Sequence, residues 1–171
     1  TSGGQHFVTP MLLQALTGHP VPADQWDTSS PDAMDHIKLA QWGDCMVVAP
    51  ASADYLAKAA NGIADDLLST LTVAFDGPKF FAPAMNTRML ENPSTRANLS
   101  TLTDRGIHLI ASQEGDLACG ERGAGKMAEP DQILAEVAGV LSARLDLSGV
   151  RALVTAGPTE EALDKIGRAH V

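Results

Sequence analysis

The chain has 171 residues, of which 44% are hydrophobic, and its 12 Lys and Arg against 21 Asp and Glu give a formal net charge of −9. This acidic balance disfavours a nucleic-acid-binding domain, because neutralising phosphates requires clustered Lys and Arg. The length suits one domain with one hydrophobic core and argues against disorder. The longest apolar runs fall well short of the roughly 20 residues that cross a bilayer. Cys45 and Cys119 are too few for a disulfide framework or a zinc site, so we expect a soluble protein of the cytoplasm without a metal.

Apolar side chains recur at helical spacing in some segments and continuously in others, so the sequence predicts alternating helices and strands. In chain order, these are a helix at 7–16, a polar loop at 24–32, a helix at 33–42, a strand at 45–49 that Pro50 ends, helices at 55–60 and 65–74, a strand at 79–82, a helix at 86–106 broken at 92–93, a strand at 107–110, a glycine-rich loop at 113–130, a helix at 131–145 and a strand at 150–155. Strands that are apolar throughout indicate a parallel sheet with both faces covered. Cys45 lies in such a strand and is expected to be buried.

Two segments that follow strands combine proline, small residues and a polar residue: 50–54 and 83–86. In an open parallel sheet, ligands bind beyond the carboxyl ends of the strands, where helix N-termini offer N–H groups to anions. The same composition also fits ordinary helix capping by Ser52, Asp54 and Asn86. The pattern alone leaves both interpretations open.

Three stretches, taken together and in order, resemble a known family. They are Pro-Ala-Ser-Ala-Asp at 50–54 with Ala-Asn-Gly-Ile-Ala-Asp-Asp-Leu-Leu at 60–68, Pro-Ala-Met-Asn at 83–86 with Met89, and Ala-Cys-Gly-Glu-Arg-Gly-Ala-Gly-Lys-Met-Ala-Glu-Pro at 118–130. They resemble the flavin-containing cysteine decarboxylases, above all the phosphopantothenoylcysteine decarboxylase branch. The resemblance runs from Thr1 to about residue 145. It implies a flavodoxin-like (Rossmann-like) three-layer α/β fold and a trimer-based homo-oligomer.

Both ends of the chain depart from the family pattern. Family members carry a first strand and a phosphate-binding loop before the position of Thr1, so we expect a preceding segment to be missing. Residues 153–159 resemble the opening strand and turn of phosphopantothenate–cysteine ligase, an enzyme that uses CTP and Mg²⁺. We therefore predict a decarboxylase domain at 1–147, the start of a ligase domain at 148–165, and a non-native tail translated from a sequencing adapter at 166–171.

The resemblance implies a carboxy-lyase of coenzyme A biosynthesis that converts 4′-phosphopantothenoylcysteine to 4′-phosphopantetheine. The carbanion left by departing carbon dioxide has no adjacent acceptor in this substrate, so the chemistry needs an electron sink. In the family, FMN supplies it by oxidising the cysteine side chain to a thioaldehyde and later returning the electrons to the enethiol. No second redox cofactor is required.

The resemblance also assigns roles to individual residues. His36 becomes the base or the group that orients the substrate carboxylate, Asn86 the carboxylate ligand, and Cys119 the acid that protonates the enethiolate. From the residues alone, a histidine on the surface or at the end of a helix is the better interpretation of His36. Asn86 also fits a helix cap, and Cys119 a thiol in a mobile flap. The remaining predicted site residues are Asp116, Leu117 and Ala118 for the substrate, and Thr1, Gly3, Ser52, Ala53, Asp54, Ala84 and Met85 for FMN.

Two other functions stay open at this stage. One is a flavin-dependent decarboxylase that acts on the carboxy-terminal cysteine of a peptide, which the ligase-like residues 153–159 disfavour. The other is a non-catalytic flavin-binding regulatory protein, which the joint presence of His36 and Cys119 disfavours.

Overall fold

The computed structural model describes residues 1–22, 24, 35–116, 120, 122–142 and 152–156. The elements in chain order are α1 (Ser2–Gln5), α2 (Pro10–Thr17), α3 (Asp35–Trp42), β1 (Cys45–Ala51), α4 (Ala53–Asn61), α5 (Leu67–Ala74), β2 (Lys79–Pro83), α6 (Thr87–Glu91), α7 (Pro93–Asp104), β3 (His108–Leu109), β4 (Gln113–Asp116), β5 (Arg122–Lys126), α8 (Pro130–Ser142) and β6 (Ala152–Ala156). No helix within these ranges is both long and apolar enough to cross a membrane.

Four of the described strands form one parallel sheet in the order β3-β2-β1-β6. Strand β1 lies inside this sheet, with Val47 opposite Phe80 of β2 on one side and opposite Val154 of β6 on the other. Helical segments connect β1 to β2 and β2 to β3, as parallel pairing requires. The predicted parallel sheet is confirmed.

Both faces of the sheet are buried, which explains why β1 is apolar at successive positions. Met46 and Val48 pack with side chains of α4, α5 and α7, whereas Cys45 and Val47 pack with side chains of α8 on the opposite face. The predicted burial of Cys45 is confirmed. Burial, together with the neighbouring charge of Asp44, raises the pKa of this thiol.

Several helices begin or end at glycine, asparagine and proline residues that the sequence places between the helical segments. Gly18 (φ 72°) ends α2 and Gly62 (φ 68°) ends α4, both in the left-handed conformation that glycine tolerates best. The predicted break at 92–93 is also present. Asn92 caps α7 by accepting the Ser94 N–H at 2.9 Å, and Pro93 takes the first helical position, where no intrahelical N–H is needed.

Two local predictions are wrong. Pro50 does not end β1, because pairing resumes at Ala51, opposite Pro83, after a register shift that follows Val48. Proline has no N–H for the ladder and is tolerated at such irregularities. The loop predicted at 113–130 instead contains an antiparallel ribbon, β4–β5, in which Gly115 lies opposite Gly123. Glycine weakens the sequence signal for strands, so the ribbon escaped detection.

The predicted strand at 150–155 is present as β6, and it pairs with β1 in the same sheet as β2 and β3. The predicted domain boundary at 147/148 and nearly all of the loop at 24–32 lie outside the described residues. So do the predicted adapter-derived residues 166–171. These assignments stay predictions.

A buried hydroxyl pair joins α4 to α5. Tyr55 Oη lies 2.7 Å from Thr72 Oγ1, and the Thr72 hydroxyl donates to the Leu68 carbonyl at 2.8 Å. Because threonine has one hydroxyl hydrogen, Tyr55 must be the donor of the pair. The Tyr55 ring also meets Phe81 edge-on, with centroids 5.1 Å apart. Burial raises the pKa of Tyr55 far above its ordinary value of 10.

We expect Tyr55→Phe to lower the free energy of unfolding at pH 7 by about 1 kcal/mol, the usual net worth of one buried hydrogen bond. The folded state of the parent holds a neutral phenol, so its contribution is complete below pH 10 and is lost as pH rises further. The difference in the free energy of unfolding between parent and variant should therefore decrease above that pH. Urea unfolding at neutral pH and at about pH 11 measures both effects. An unchanged gap would contradict the assignment of the titrating group.

Candidate active site

The two segments predicted to bind a ligand meet at the carboxyl edge of the sheet. Ala51, the last residue of β1, pairs with Pro83, the last residue of β2. The Ala84 N–H then donates to the Ala51 carbonyl at 3.1 Å. Residues 52–54 and 84–86 therefore leave the sheet side by side, as parallel strands require.

The first segment opens α4. Ser52 caps the helix by accepting the Tyr55 N–H at 3.2 Å, which confirms its capping role. Ala53 and Asp54 occupy the first helical positions, whose N–H groups have no acceptor inside a helix and carry the positive end of the helix dipole. The edge thus presents backbone donors beside the small side chain of Ala53.

The second segment carries Asn86, which caps α6 by accepting the Arg88 N–H on Oδ1 at 2.9 Å. The amide nitrogen lies at the other end of the same side-chain group and can donate two hydrogen bonds. Met85 packs against the core cluster below. The structure therefore brings Ser52, Ala53, Asp54, Ala84, Met85 and Asn86 to one edge of the sheet.

The ribbon β4–β5 docks on this second segment. The Met85 N–H donates to the Gly125 carbonyl at 3.0 Å, and the Thr87 hydroxyl donates to the Ala124 carbonyl at 2.5 Å. A β-carbon on Gly125, where φ is +125°, would overlap the Met85 carbonyl oxygen, and one on Gly123 would overlap the Thr87 hydroxyl. Sequence analysis missed Thr87 and this docking. The glycine alternation at 123 and 125 was the available signal.

His36 lies in the first turn of α3 and is partly exposed. Only Gly43 and Asp44 separate α3 from β1, and Leu39 and Ala40 of α3 pack on the core. No hydrogen bond among the described residues joins His36 to Asn86.

Among the residues that the structure describes, no hydrogen bond joins the other predicted site residues to this edge. Thr1 caps α1 by accepting the Gly4 N–H at 3.1 Å, and Gly3 lies within α1; no hydrogen bond between described residues connects either of them to residues 52–54. Asp116 is exposed at the end of β4, and its backbone lies opposite Arg122 of β5 in the ribbon. Leu117, Ala118 and Cys119 lie outside the described residues.

Comparison with known proteins gives this arrangement a family. The sequence profile of the Flavoprotein family matches residues 1–142. The chain belongs to the Flavoprotein family. Over 166 residues it is 45% identical to the coenzyme A biosynthesis bifunctional protein CoaBC of Haemophilus influenzae, covering 97% of this chain and 42% of that protein. This flavoprotein chain therefore spans about two fifths of the length of that relative.

Two solved structures resemble this flavoprotein. A cysteine-to-serine mutant of PPC decarboxylase, complexed with pantothenoylaminoethenethiol, is 41% identical with a TM-score of 0.66, covering 69% of this chain and 67% of that one. The FMN-dependent cysteine decarboxylase SpaF is 29% identical with a TM-score of 0.67, covering 81% and 74%. These likenesses confirm the predicted flavodoxin-like α/β fold.

A charge cluster beside the edge includes two residues of the flavoprotein's segment 60–68, Asp65 and Asp66. Lys58 Nζ lies 3.1 Å from Asp65, 3.6 Å from Asp54 and 3.9 Å from Asp66. Asp66 also caps α5 by accepting the Ser69 N–H at 2.8 Å. The hydrogen bond to Asp65 raises the pKa of Lys58, and the same bond lowers the pKa of Asp65. Lys58 therefore ties the first turn of α4 to the start of α5, a role that sequence analysis missed.

We expect Lys58→Met to lower the Tm at neutral pH, because three carboxylates lose their shared cation, and added salt should shrink the loss. Lys58 stabilises the fold below its ordinary pKa of 10.5 and loses this contribution as pH rises through its higher folded value. Asp65 contributes above its ordinary pKa of 3.8 and loses that contribution as pH falls through its lower folded value. The difference in Tm between the parent and Lys58→Met should be constant from about pH 5 to 9 and should disappear below about pH 3.

Thermal unfolding across this pH range measures the gap. Lys58→Arg retains the charge and serves as the matched control, which should stay close to the parent throughout. A Lys58→Met loss that neither acid nor salt reduces would show that packing of the lysine stem, and not its charge, stabilises this corner.

Proposed function

We propose that this chain catalyses the FMN-dependent decarboxylation of 4′-phosphopantothenoylcysteine to 4′-phosphopantetheine, the carboxy-lyase step of coenzyme A biosynthesis. The observation that carries the proposal is the side-by-side position of residues 52–54 and 84–86 just beyond the Ala51–Pro83 pair, in a chain 41% identical to a PPC decarboxylase. The edge places backbone donors beside an amide side chain suited to a carboxylate. Such a crevice is where flavodoxin-like sheets bind their ligands.

The residues at the edge fit FMN. Ala53 and Ala84 carry only a methyl group, which lets a flat ring approach the backbone. The N–H groups of Ala53 and Asp54 can donate to ring oxygens, and Met85 offers an apolar contact above the core. When bound, FMN supplies the reversible two-electron acceptor that this decarboxylation needs. Thr1 and Gly3 are proposed at the edge of its phosphate site.

Asn86 is proposed to hold the substrate carboxylate. Its Oδ1 is engaged by the Arg88 N–H, so the amide group has a fixed orientation and its nitrogen serves as the donor to the substrate. A neutral amide binds the carboxylate without a full positive charge. Departure of neutral carbon dioxide therefore does not strand an unpaired cation in the site.

His36 and Cys119 are proposed as the proton-handling residues. His36 accepts a proton or orients the substrate carboxylate. Cys119 protonates the enethiolate intermediate during its reduction. His36 lies partly exposed in the first turn of α3, and the roles of both residues rest on the family resemblance. Asp116 ends β4, and Leu117, Ala118 and Cys119 follow it in the sequence before β5, the strand that bonds to both neighbours of Asn86.

The assembly is proposed to be a trimer-based homo-oligomer. Helix α2 is largely apolar, yet none of its residues is buried, and Met11 and Leu16 are among the most exposed large apolar side chains described. A second copy of the chain would cover them. We further propose that the natural gene product is bifunctional, with the ligase domain beginning at 148–165. Mass measurement by light scattering tests the assembly.

Decarboxylation is tested by incubating the purified chain with FMN and either phosphopantothenoylcysteine or a peptide ending in cysteine. Carbon dioxide and the thiol product are quantified, and flavin absorbance after gel filtration reports FMN binding. Release from the phosphopantothenate-derived substrate alone is the expected result. Release from the peptide alone would establish a peptidyl-cysteine decarboxylase, and bound FMN without release from either would leave a flavin-binding regulatory protein.

A further inference from the structure

We propose that Thr87 is a positioning residue, which fixes Asn86 by fastening its segment to the ribbon β4–β5. The inference rests on the proposed function, since it takes Asn86 as the substrate-carboxylate ligand. It adds a determinant of substrate affinity that lies outside the residues assigned by the family resemblance.

Asn86 is held from both sides by bonds to one strand. The residue before it, Met85, donates its N–H to the Gly125 carbonyl at 3.0 Å, and the residue after it, Thr87, donates its hydroxyl to the Ala124 carbonyl at 2.5 Å. Both acceptors belong to β5, far away along the chain. Two bonds that flank a residue restrict both its displacement and its rotation about the segment.

The Thr87 bond is not needed to form the helix that follows. Asn86 already caps α6, through the Arg88 N–H at 2.9 Å, so the Thr87 hydroxyl is available for a contact outside the helix. Gly123 leaves the space that this hydroxyl occupies, because a β-carbon there would overlap it. The sequence thus matches a hydroxyl on one element with a missing side chain on the other.

The position of Asn86 depends on such an anchor because α6 is short. Residues Thr87–Glu91 form a helix of 5 residues with no buried side chain, far below the length at which a helix is stable by itself. Tertiary contacts must therefore hold this segment in place. Removing the Thr87 bond should let Asn86 drift from the substrate carboxylate while the core beneath β2 stays intact.

The test compares Thr87→Val, which keeps the shape but removes the donor, with Thr87→Ser, which keeps the donor. We expect Thr87→Val to raise KM for phosphopantothenoylcysteine by about tenfold while kcat changes less than about threefold. The reason is that the variant loses one hydrogen bond that holds Asn86 in position to bind the substrate. Thr87→Ser should restore KM. The matched control is Thr101→Val, because the Thr101 hydroxyl donates to the Ala97 carbonyl at 3.0 Å within its own helix, in an exposed bond.

A second readout does not require turnover. The Met85 N–H is bonded to Gly125, so its hydrogen exchange should accelerate in Thr87→Val and stay slow in Thr87→Ser and Thr101→Val. Unchanged exchange and unchanged KM in Thr87→Val would overturn the inference. If exchange accelerates in Thr87→Val but the parent binds FMN and releases no carbon dioxide, the proposed function is overturned and the fastening stands.

Discussion

Gly125→Ala is expected to reduce carbon dioxide release at least about 100-fold, the loss that a displacement of roughly 1 Å causes in a positioned site. Gly125 has φ +125°, a conformation that alanine rarely adopts, and the new β-carbon would overlap the Met85 carbonyl oxygen. The ribbon must then separate from residues 85–87, and the Met85–Gly125 hydrogen bond breaks. Both Asn86 and the ribbon that carries Asp116 lose their relative position.

Gly139→Ala is the matched control. Gly139 lies within α8, where an added β-carbon meets no neighbouring atom, and alanine is the better helix former by about 0.5–1 kcal/mol. This variant should be as stable as the parent or more so, with unchanged turnover. Carbon dioxide release and urea unfolding on the same preparations separate a local loss of docking from global unfolding. A Gly125→Ala variant that retains half of the parent's activity would show that the docked ribbon is dispensable.

Strands and helices with strong local signals were predictable. Strand β1 could be predicted because both of its faces are buried, so Cys45, Met46, Val47 and Val48 are all apolar. The end of that strand could not be predicted, because pairing resumes at Ala51, opposite Pro83, after a register shift between Val48 and Ala51. Local propensity describes one chain segment, whereas pairing is decided by two.

The ribbon β4–β5 shows a second limit. Glycines at 115, 123 and 125 are poor strand formers by intrinsic preference. Gly115 leaves room for the Lys126 side chain of the paired strand. Gly123 and Gly125 are needed because a β-carbon would overlap the Thr87 hydroxyl at 123 and the Met85 carbonyl oxygen at 125. That requirement is set by a segment almost 40 positions away, which no local pattern reveals.

The candidate site was predictable to a similar degree. The capping pattern placed Ser52 and Asn86 at helix starts, and parallel-sheet geometry placed both at one edge, where the structure has them. Lys58 escaped because a lysine on a helix is ordinary, and its three carboxylate partners come together only when α4 and α5 pack. Helix capping can be predicted from the local sequence, whereas this charge cluster forms only in the tertiary structure.

The other large effect is expected at His36. His36→Asn keeps a polar side chain of similar reach but removes the titrating group, and loss of a general base or acid typically costs about 10²–10⁴-fold in rate. Flavin absorbance and FMN affinity should match the parent, because His36, in the first turn of α3, is not among the residues proposed to hold FMN. Single-turnover carbon dioxide release measures the loss. The control is His19→Asn, which changes an exposed histidine just after α2.

The order of the proposed steps gives His36 and Cys119 different signatures. If His36 acts in or before decarboxylation, His36→Asn releases little carbon dioxide and returns unreacted substrate. If Cys119 acts afterwards, Cys119→Ser still releases carbon dioxide but yields the oxidised enethiol, which lacks two hydrogen atoms of phosphopantetheine. A His36→Asn variant within about threefold of the parent would be too small a loss for proton transfer and would return His36 to a surface role.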